Sequence, residues 1–231
     1  MFVPGQVISH LEMSQEEKVH LQKGMNFRLG GTYSVILMSL RRGAPYADRV
    51  EDDGKTLIYE GHDIPKRRGV SYPKKIDQPN KNPSGSLNEN GRFERAAKLH
   101  KNEGQTPELV RVYEKLHAGI WVFNGIFNLV DAWQEESEGR KVFKFKLELT
   151  DAETISTRPI KPDLDHNRMI PSSVKLEVWQ RDNGRCTKCG STDNLHFDHI
   201  LPFSRGGTSL TAANIQILCA RHNLEKHDKI V

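Results

Sequence analysis

The motifs that decide the fold lie between residues 186 and 226: Cys186-Thr187-Lys188-Cys189, Phe197-Asp198-His199-Ile200, Gly206-Gly207, Asn214-Ile215-Gln216-Ile217-Leu218-Cys219 and His222-Asn223. Four zinc donors are spaced as C-x2-C and C-x2-H pairs, the ligand set of a closed tetrahedral zinc site: Cys186, Cys189, Cys219 and His222. The Asp198-His199 pair sets a hard oxygen ligand beside an imidazole. Asn214 and Asn223 add amide oxygens, one able to orient a histidine and one able to bind a hard cation.

The fourth zinc ligand has two candidates. His222 lies one helical turn after Cys219, which puts both donors on one face of a helix. His227 could compete for the same position. The zinc donors alone would equally suit a knuckle that only holds a fold or touches DNA. The additional Asp198, His199, Asn214 and Asn223 favour a catalytic interpretation.

This stretch resembles the HNH nuclease motif, also called the ββα-metal finger, over residues 172–231. The family's Asp-His pair falls on Asp198 and His199, its middle Asn on Asn214 and its last position on Asn223. The family usually has Cys where this chain has His222. The resemblance implies that His199 is a general base whose ring is fixed by Asn214, and that Asp198 and Asn223 hold one Mg2+ or similar ion. It also implies a structural zinc and cleavage to 3′-hydroxyl and 5′-phosphate ends.

Length and composition predict one medium domain and one small domain in 231 residues. The formal net charge is +4 and the isoelectric point is about 8.9, which is compatible with a nucleic-acid partner. No apolar run approaches the length of a membrane span, and residues 1–6 lack the layout of a signal peptide. All three cysteines fall in the zinc motif, so none is left for disulfides, and we expect a cytoplasmic protein without a membrane partner.

The N-terminal half alternates apolar strands with two helices, which predicts an α+β fold built on a curved, mostly antiparallel barrel or sheet. The predicted helices are residues 10–23, with Ser14 as N-cap and Glu17 completing a capping box, and residues 92–101, capped by Asn88 or Asn90. The predicted strands are 32–40, 56–61, 108–116, 119–133 and 141–149. Residues 150–171 are predicted as a linker, and a further helix begins at Ser172 or Ser173 and ends near Gly184. The domains are therefore 1–149 and 172–231.

Within residues 25–149, a series of short motifs resembles the SRA (YDG) domain: Gly31-Thr32-Tyr33-Ser34-Val35, the acidic turn into Asp53-Gly54-Lys55-Thr56-Leu57-Ile58-Tyr59-Glu60-Gly61, Asp77-Gln78, Val110-Arg111-Val112, Phe123-Asn124-Gly125-Ile126-Phe127 and Phe143-Lys144-Phe145-Lys146-Leu147. The resemblance implies a domain that flips a modified cytosine out of duplex DNA and encloses it. The family's Tyr-Asp-Gly is Phe123-Asn124-Gly125 here. The acidic turn also has different spacing, so Asp48, Asp52 and Asp53 all stay candidates for the base-reading acid.

A flipped base is held by aromatic stacking and by hydrogen bonds to its Watson–Crick edge. Tyr46 and Tyr59 could supply the ring faces, and Asp48 could accept from the cytosine amino group. The alternatives are a solvated acidic turn and a core tyrosine. In the long polar loop 62–91, phosphate contacts are assigned to four basic residues, for which a solvated face is the alternative: Arg67, Arg68, Lys74 and Lys75.

The two resemblances together predict a modification-dependent restriction endonuclease of type IV. Its partner would be double-stranded DNA with modified cytosine, most simply 5-methylcytosine, although 5-hydroxymethylcytosine and other groups stay open. A two-fold homodimer would supply two centres for a double-strand break. Two alternatives remain: an HNH enzyme that cuts unmodified DNA, and a modified-DNA reader whose nuclease centre has decayed.

Overall fold

The computed structural model describes residues 2–29, 31–51, 54–66, 72–150, 169–202 and 205–226. Several predictions fall outside these residues: those for Asp52, Asp53, Arg67, Arg68 and His227, and nearly all of the predicted linker. Among the described helices, none combines the length and the apolar character that crossing a bilayer requires.

The larger part of the fold is one eight-stranded sheet, ordered β2-β3-β6-β7-β8-β5-β4, with β1 paired to β7. The strands are β1 Val7–Ser9, β2 Met25–Leu29, β3 Tyr33–Met38, β4 Arg49–Val50, β5 Thr56–Glu60, β6 Glu108–His117, β7 Ile120–Ser137 and β8 Arg140–Leu149. All pairs are antiparallel except β3 with β6, which is parallel. Register shifts interrupt three of the ladders, and such bulges bend a sheet. The α+β, mostly antiparallel prediction is confirmed.

Four α-helices accompany the sheets in the described residues: α1 His10–Glu17, α2 Glu89–Glu103, α3 Ser172–Arg181 and α4 Ala220–Lys226. Asn88 caps α2 by accepting from the Gly91 N–H, as predicted. The predicted cap of α1 is wrong. Ser9, not Ser14, forms the capping box, because its Oγ accepts from the Glu12 N–H while the Glu12 carboxylate accepts from the Ser9 N–H.

α1 also ends earlier than predicted, at Glu17 rather than at residue 23. Glu17 is buried, and its Oε1 lies 2.9 Å from Nε of Arg111 on β6. The Tyr113 hydroxyl also donates to this carboxylate. These contacts fix Glu17 at the C-terminal end of the helix, and Lys18 then ends it with φ 55°.

The second sheet is a two-stranded antiparallel pair of β9 Leu195–His199 and β10 Ile215–Cys219, followed directly by α4. This is the ββα order predicted for residues 172–231. The helix α3 packs its Val174 and Val178 into the same apolar cluster as Phe197 and Ile217 of the small sheet. The cluster also contains Leu116 of β6 and Val122 of β7, so the small module shares its core with the large sheet.

Candidate functional site

The four predicted zinc donors converge at the junction of β10 and α4, with all ligand atoms within 4.8 Å of one another. Nδ1 of His222 lies 3.4 Å from Sγ of Cys186 and 3.3 Å from Sγ of Cys219. Sγ of Cys189 lies 3.9 Å from Sγ of Cys219. Donors bonded to zinc at about 2.0–2.3 Å sit about 3.3–3.8 Å apart at the corners of a tetrahedron, so the cluster fits a zinc ion.

The thiol chemistry of the cluster also suits a cation. Burial alone would raise the pKa of Cys186, but backbone N–H groups of Cys219, Cys189 and Lys188 lower it to about 6. A thiolate is the form that binds zinc. The competition with His227 falls outside the described residues, and within them His222 completes the set.

Asp198 and His199 end strand β9, opposite Gln216 and Ile215 of β10. Oδ2 of Asp198 accepts from Nε2 of Gln216 at 3.2 Å and lies 2.9 Å from Nζ of Lys226. The Asp198 side chain keeps 13% of its surface exposed. One carboxylate therefore combines internal partners with access to solvent, which a metal ligand at a substrate site requires.

The structure gives Asn214 different partners from those predicted. Its Oδ1 accepts from the Leu201 N–H at 2.8 Å, and its Nδ2 donates to the carbonyl oxygens of Leu201 and Thr208, each at 3.0 Å. The hydrogen bond to the His199 ring comes instead from Ser209, whose Oγ lies 2.8 Å from Nε2. Asn214 thus holds the loop after β9, and Ser209, buried on that loop, orients the imidazole.

The glycine pair 206–207 is required by this loop. A Cβ on Gly207 would lie 1.9 Å from the Leu201 carbonyl oxygen and 2.9 Å from Nδ2 of Asn214. Only glycine lets the chain approach that closely. The loop geometry, and with it the Ser209 contact to His199, therefore depends on both Asn214 and Gly207.

Asn223 lies on α4, three residues before Lys226, so both side chains share a helix face. Lys226 is buried and also donates to the His199 carbonyl oxygen, which turns this face toward Asp198. Asn223 is half-buried. Two oxygen donors, Asp198 and Asn223, suit Mg2+, which usually keeps several waters and takes few protein ligands. No role was predicted for Lys226 from the sequence. Its i, i+3 spacing from Asn223 was the signal that could have placed it on the same helix face.

A cleft of about 700 Å³ contains all three predicted pocket residues: Tyr46, Asp48 and Tyr59. Basic side chains line it as well, including Lys23, Arg41 and Lys115. The same cleft is lined by His62, which sequence reasoning missed. The cleft thus joins aromatic rings, one carboxylate and cations.

Asp48 is held by the backbone on both of its oxygens. Oδ1 accepts from the Glu60 N–H at 3.0 Å, and Oδ2 accepts from the Ser39 N–H at 3.3 Å. Burial raises the pKa of Asp48 to about 7, with these N–H groups opposing the shift. The carboxyl group is fixed in place and changes charge near neutral pH.

Tyr46 and Tyr59 meet the cleft differently. The Tyr46 ring stacks on His62 with centroids 5.3 Å apart and planes 18° from parallel. Tyr59 is 1% exposed and reaches the cleft through its hydroxyl, 3.1 Å from Nε2 of His62. Tyr59 is thus largely a core residue, the predicted alternative. Burial lowers the pKa of His62 to about 4, so this ring is neutral near pH 7.

The two described basic residues of the loop have different surroundings. Nζ of Lys74 lies 4.1 Å from the Tyr46 ring centroid and 3.1 Å from Oδ2 of Asp63, so it supports the cleft wall. Lys75 is exposed, with Nζ 5.4 Å from the ring centroid of Tyr72, itself 70% exposed. Lys75 and Tyr72 are thus the pair with open access.

Comparison with known proteins gives a family match for the small module: residues 186–229 match the HNH endonuclease family model. This confirms the HNH prediction, and the matched range includes the four zinc donors and the residues predicted to hold Mg2+. The chain therefore carries an HNH endonuclease domain at its C-terminal end. No curated protein matches the chain.

Among solved structures, the chain is similar in fold to the SUVH5 SRA domain in complex with hemi-methylated CG DNA, with 23% identity over 62% of this chain and 84% of that one, at a TM-score of 0.42. A SUVH5 SRA complex with methylated CHH DNA gives 18% identity over 64% and 94%, at 0.43. SUVH6 of Arabidopsis thaliana in complex with SAM is 22% identical over 75% of this chain and 28% of that one, at a TM-score of 0.41. The likeness concerns the fold.

Proposed function

We propose that this chain is a modification-dependent endonuclease, of the type IV restriction class, that holds a modified cytosine in the cleft and hydrolyses DNA at the HNH centre. The base proposed is 5-methylcytosine, flipped out of the duplex. The observation that carries the proposal is the presence, in one chain, of the matched HNH module and a cleft in which Tyr46, Asp48 and His62 meet. The similarity in fold to SRA domains is consistent with this.

The size of the cleft supports a base as its occupant. A pyrimidine with an amino, a keto and a methyl group needs roughly 270 Å³, even if each non-hydrogen atom takes the roughly 30 Å³ of a water molecule in the liquid. The cleft offers about 700 Å³, so the flipped methylated base fits. Extrusion costs a few kcal/mol of stacking and pairing, which contacts in the cleft must offset.

The recognition we propose uses the fixed carboxylate of Asp48. In its charged form this group accepts from the amino group on the Watson–Crick edge of cytosine. Tyr46 lies beside it as a stacking surface, and Lys74 and His62 set the orientation of its ring. Exposed Lys75 would contact phosphate, which adds affinity without base specificity.

The cleavage we propose uses His199 as general base. The imidazole takes a proton from a water molecule, the water oxygen forms a bond to phosphorus, and the bond from phosphorus to the 3′ oxygen breaks. Asp198 and Asn223 would hold a divalent cation such as Mg2+, which when bound stabilises the charge on the phosphate and the leaving oxygen. Ser209 keeps the imidazole ring oriented, and Lys226 keeps Asp198 in place.

Double-strand cleavage by this enzyme requires two HNH centres or two successive encounters, because each centre cuts one strand. A two-fold homodimer on the duplex is the arrangement we propose. The zinc cluster holds the fold of the finger and takes no part in the chemistry.

The test is digestion of two matched duplexes, identical except for 5-methylcytosine at one site, with Mg2+ or with EDTA. We expect cutting of the methylated duplex with Mg2+ only. Equal cutting of both duplexes would favour the HNH enzyme for unmodified DNA. Binding of the methylated duplex without any cutting would favour a reader with a decayed centre.

A further inference from the structure

The two sheets are joined through a short segment near the N-terminus. Gly5 donates to the Phe123 carbonyl at 2.9 Å, and the Phe123 N–H donates to the Gln6 carbonyl at 3.0 Å. On the other side, the Phe197 N–H donates to the Gly5 carbonyl at 3.1 Å, and Gln6 forms an antiparallel bridge with His196. The backbone of residues 5–6 therefore hydrogen-bonds to β7 of the large sheet and to β9 of the nuclease module at once.

A buried polar cluster lies on the same interface. Nζ of Lys175, on α3, lies 2.7 Å from Oε2 of Glu114 on β6 and 2.7 Å from Oδ1 of Asn124 on β7. Nδ2 of Asn124 closes the triangle by donating to Glu114 at 3.0 Å. The Ser172 hydroxyl donates to the other Glu114 oxygen. The Lys175 and Glu114 side chains are 2% and 3% exposed, so each charge depends on the others for its partners.

Asn124 connects this cluster to the cleft. It is the residue skipped in the ladder between β6 and β7, where Val112 pairs with Gly125 and Tyr113 with Phe123. Its Nδ2 lies 3.8 Å from Sδ of Met38, and Met38 lines the cleft. One side chain therefore contacts both a wall of the cleft and the helix that begins the nuclease module.

Apolar contacts tolerate small slides between packed elements, whereas a buried polar cluster is fully satisfied in one arrangement only. We propose that Glu114, Asn124 and Lys175 are positioning residues that lock the HNH centre at one orientation relative to the cleft, so that the enzyme cuts at one fixed distance from the base it holds. This inference rests on the proposed function for its DNA readout.

The experiment maps cut positions on a duplex with a single 5-methylcytosine, by sequencing the ends produced. We expect one dominant position per strand for the unaltered chain. In the double variant Glu114→Gln, Lys175→Met, which removes both charges while keeping the side-chain volumes, we expect the dominant fraction to fall by about half or more. The cutting rate should fall with it, since a misplacement of about 1 Å can cost roughly 100-fold.

Controls separate positioning from general damage. Lys101→Met removes an exposed ion pair with Asp131 and should leave the cut positions unchanged, while Lys175→Arg should keep them sharper than Lys175→Met. If the double variant does not fold, Ser172→Ala, which removes one hydroxyl contact to Glu114, takes its place. Cuts spread over many positions for the unaltered chain, or an unchanged sharp pattern in the variants, would overturn the inference.

A second experiment tests the contact between the two parts of the chain without DNA. A protease site is inserted between residues 151 and 168 of the full chain, cut, and the product passed over a sizing column. We expect the two fragments to co-elute, and to separate at lower denaturant in the double variant. If the fragments separate without denaturant, the proposal that this cluster fixes the orientation of the nuclease module is overturned. If the fragments co-elute but the protein shows no preference for methylated DNA, the two parts are held together and the proposed recognition is wrong. That result overturns the proposed function and, with it, the fixed cutting distance.

Discussion

The Lys226 ammonium lies 2.9 Å from the Asp198 carboxylate and donates to the backbone carbonyl of His199. These two contacts hold the last turn of α4 against the end of β9, where Asp198 and His199 of the HNH motif lie. A positive charge thus already faces the carboxylate proposed to hold a divalent cation. It orients that carboxylate and also competes with the metal for it.

Replacing Lys226 by Met should therefore have two effects. The finger should lose about 1–3 kcal/mol of stability, less than for a fully buried pair because Asp198 keeps some solvent and the Gln216 donor. The Mg2+ midpoint for cleavage should shift to lower concentration, because the competing charge is gone. Denaturant unfolding and Mg2+ titration measure the two effects. Lys98→Met, which breaks an exposed pair with Glu94, should change neither by much. An unchanged Mg2+ midpoint would mean that Lys226 does not compete with the metal for Asp198.

Cleavage and metal binding should separate by residue in the HNH centre. His199→Ala should lower the plateau of activity by about 100- to 10,000-fold at an unchanged Mg2+ midpoint, and should spare DNA binding. Asp198→Ala, and more mildly Asn223→Ala, should shift the midpoint to higher Mg2+, since each removes a ligand. Single-turnover cleavage over a range of Mg2+ concentrations distinguishes them. Recovery of His199→Ala on adding metal would make that residue a ligand rather than a base.

Zinc should be required for folding of the finger. Cys186→Ala or Cys219→Ser should unfold the module, because such sites contribute folding free energy directly. The module shares its apolar core with Leu116 and Val122 of the large sheet, so the variants should also lower the unfolding midpoint of the whole chain. Elemental analysis should give about one zinc per chain. A folded, zinc-free variant would contradict the structural role. His227→Ala is the matched control and should keep its zinc, while His222→Ala should lose it.

The cleft should discriminate through Tyr46 more than through Tyr59. Tyr46→Ala should reduce the preference for methylated over unmethylated duplex by about 1–3 kcal/mol, the range for base stacking on an aromatic ring. Tyr59→Ala would open a cavity in the core, so Tyr59→Phe, which removes only the hydroxyl near His62, is the informative change and should have a smaller effect. Fluorescence anisotropy measures both affinities. Tyr72→Ala, outside the cleft lining, should change them equally. A Tyr46→Ala protein with full preference would place recognition elsewhere.

Recognition should also depend on pH through Asp48. Its pKa is raised to about 7, and the charged form is the acceptor. Because the proposal places only the methylated base in the cleft, the preference for methylated DNA should weaken as pH falls from 8 to 6, by about tenfold. His62, with a pKa lowered to about 4, stays neutral in this window. The ratio of the two affinities is the readout, because protonation elsewhere affects both duplexes alike. Asp48→Asn should abolish the pH step, and a flat ratio in the unaltered chain would exclude Asp48 as the acceptor.

The same shift has a consequence for stability with the opposite pH trend. The folded-state pKa of Asp48 lies above its ordinary value of 3.8, so folding favours the protonated form. The resulting contribution to stability is fully present below about pH 4 and is lost as the pH rises through about 7. Asp48 therefore lowers the stability of the fold most in the pH range where it is charged and can accept from the base.

The zinc donor set and the positions of the main strands along the chain were accessible from the sequence, because each depends on short-range information. The C-x2-C and C-x2-H spacings fix which donors can reach one ion, and the alternation in residues 141–149 fixes a strand. The alternation alone would place Lys144 of that strand on the solvent face. It is 1% exposed because Glu60, on the neighbouring strand β5, lies 3.0 Å from its Nζ.

What the tertiary structure alone decided are the partners of side chains distant in the chain. Ser209 rather than Asn214 contacts the His199 ring, since the close approach at Gly207 folds the loop back. His62 meets Tyr46 because β5 delivers it to the edge of the cleft. Glu114, Asn124 and Lys175 carry no local pattern that marks them as a cluster. Burying a charge is costly unless a partner is within reach, and only the folded chain determines which partner that is.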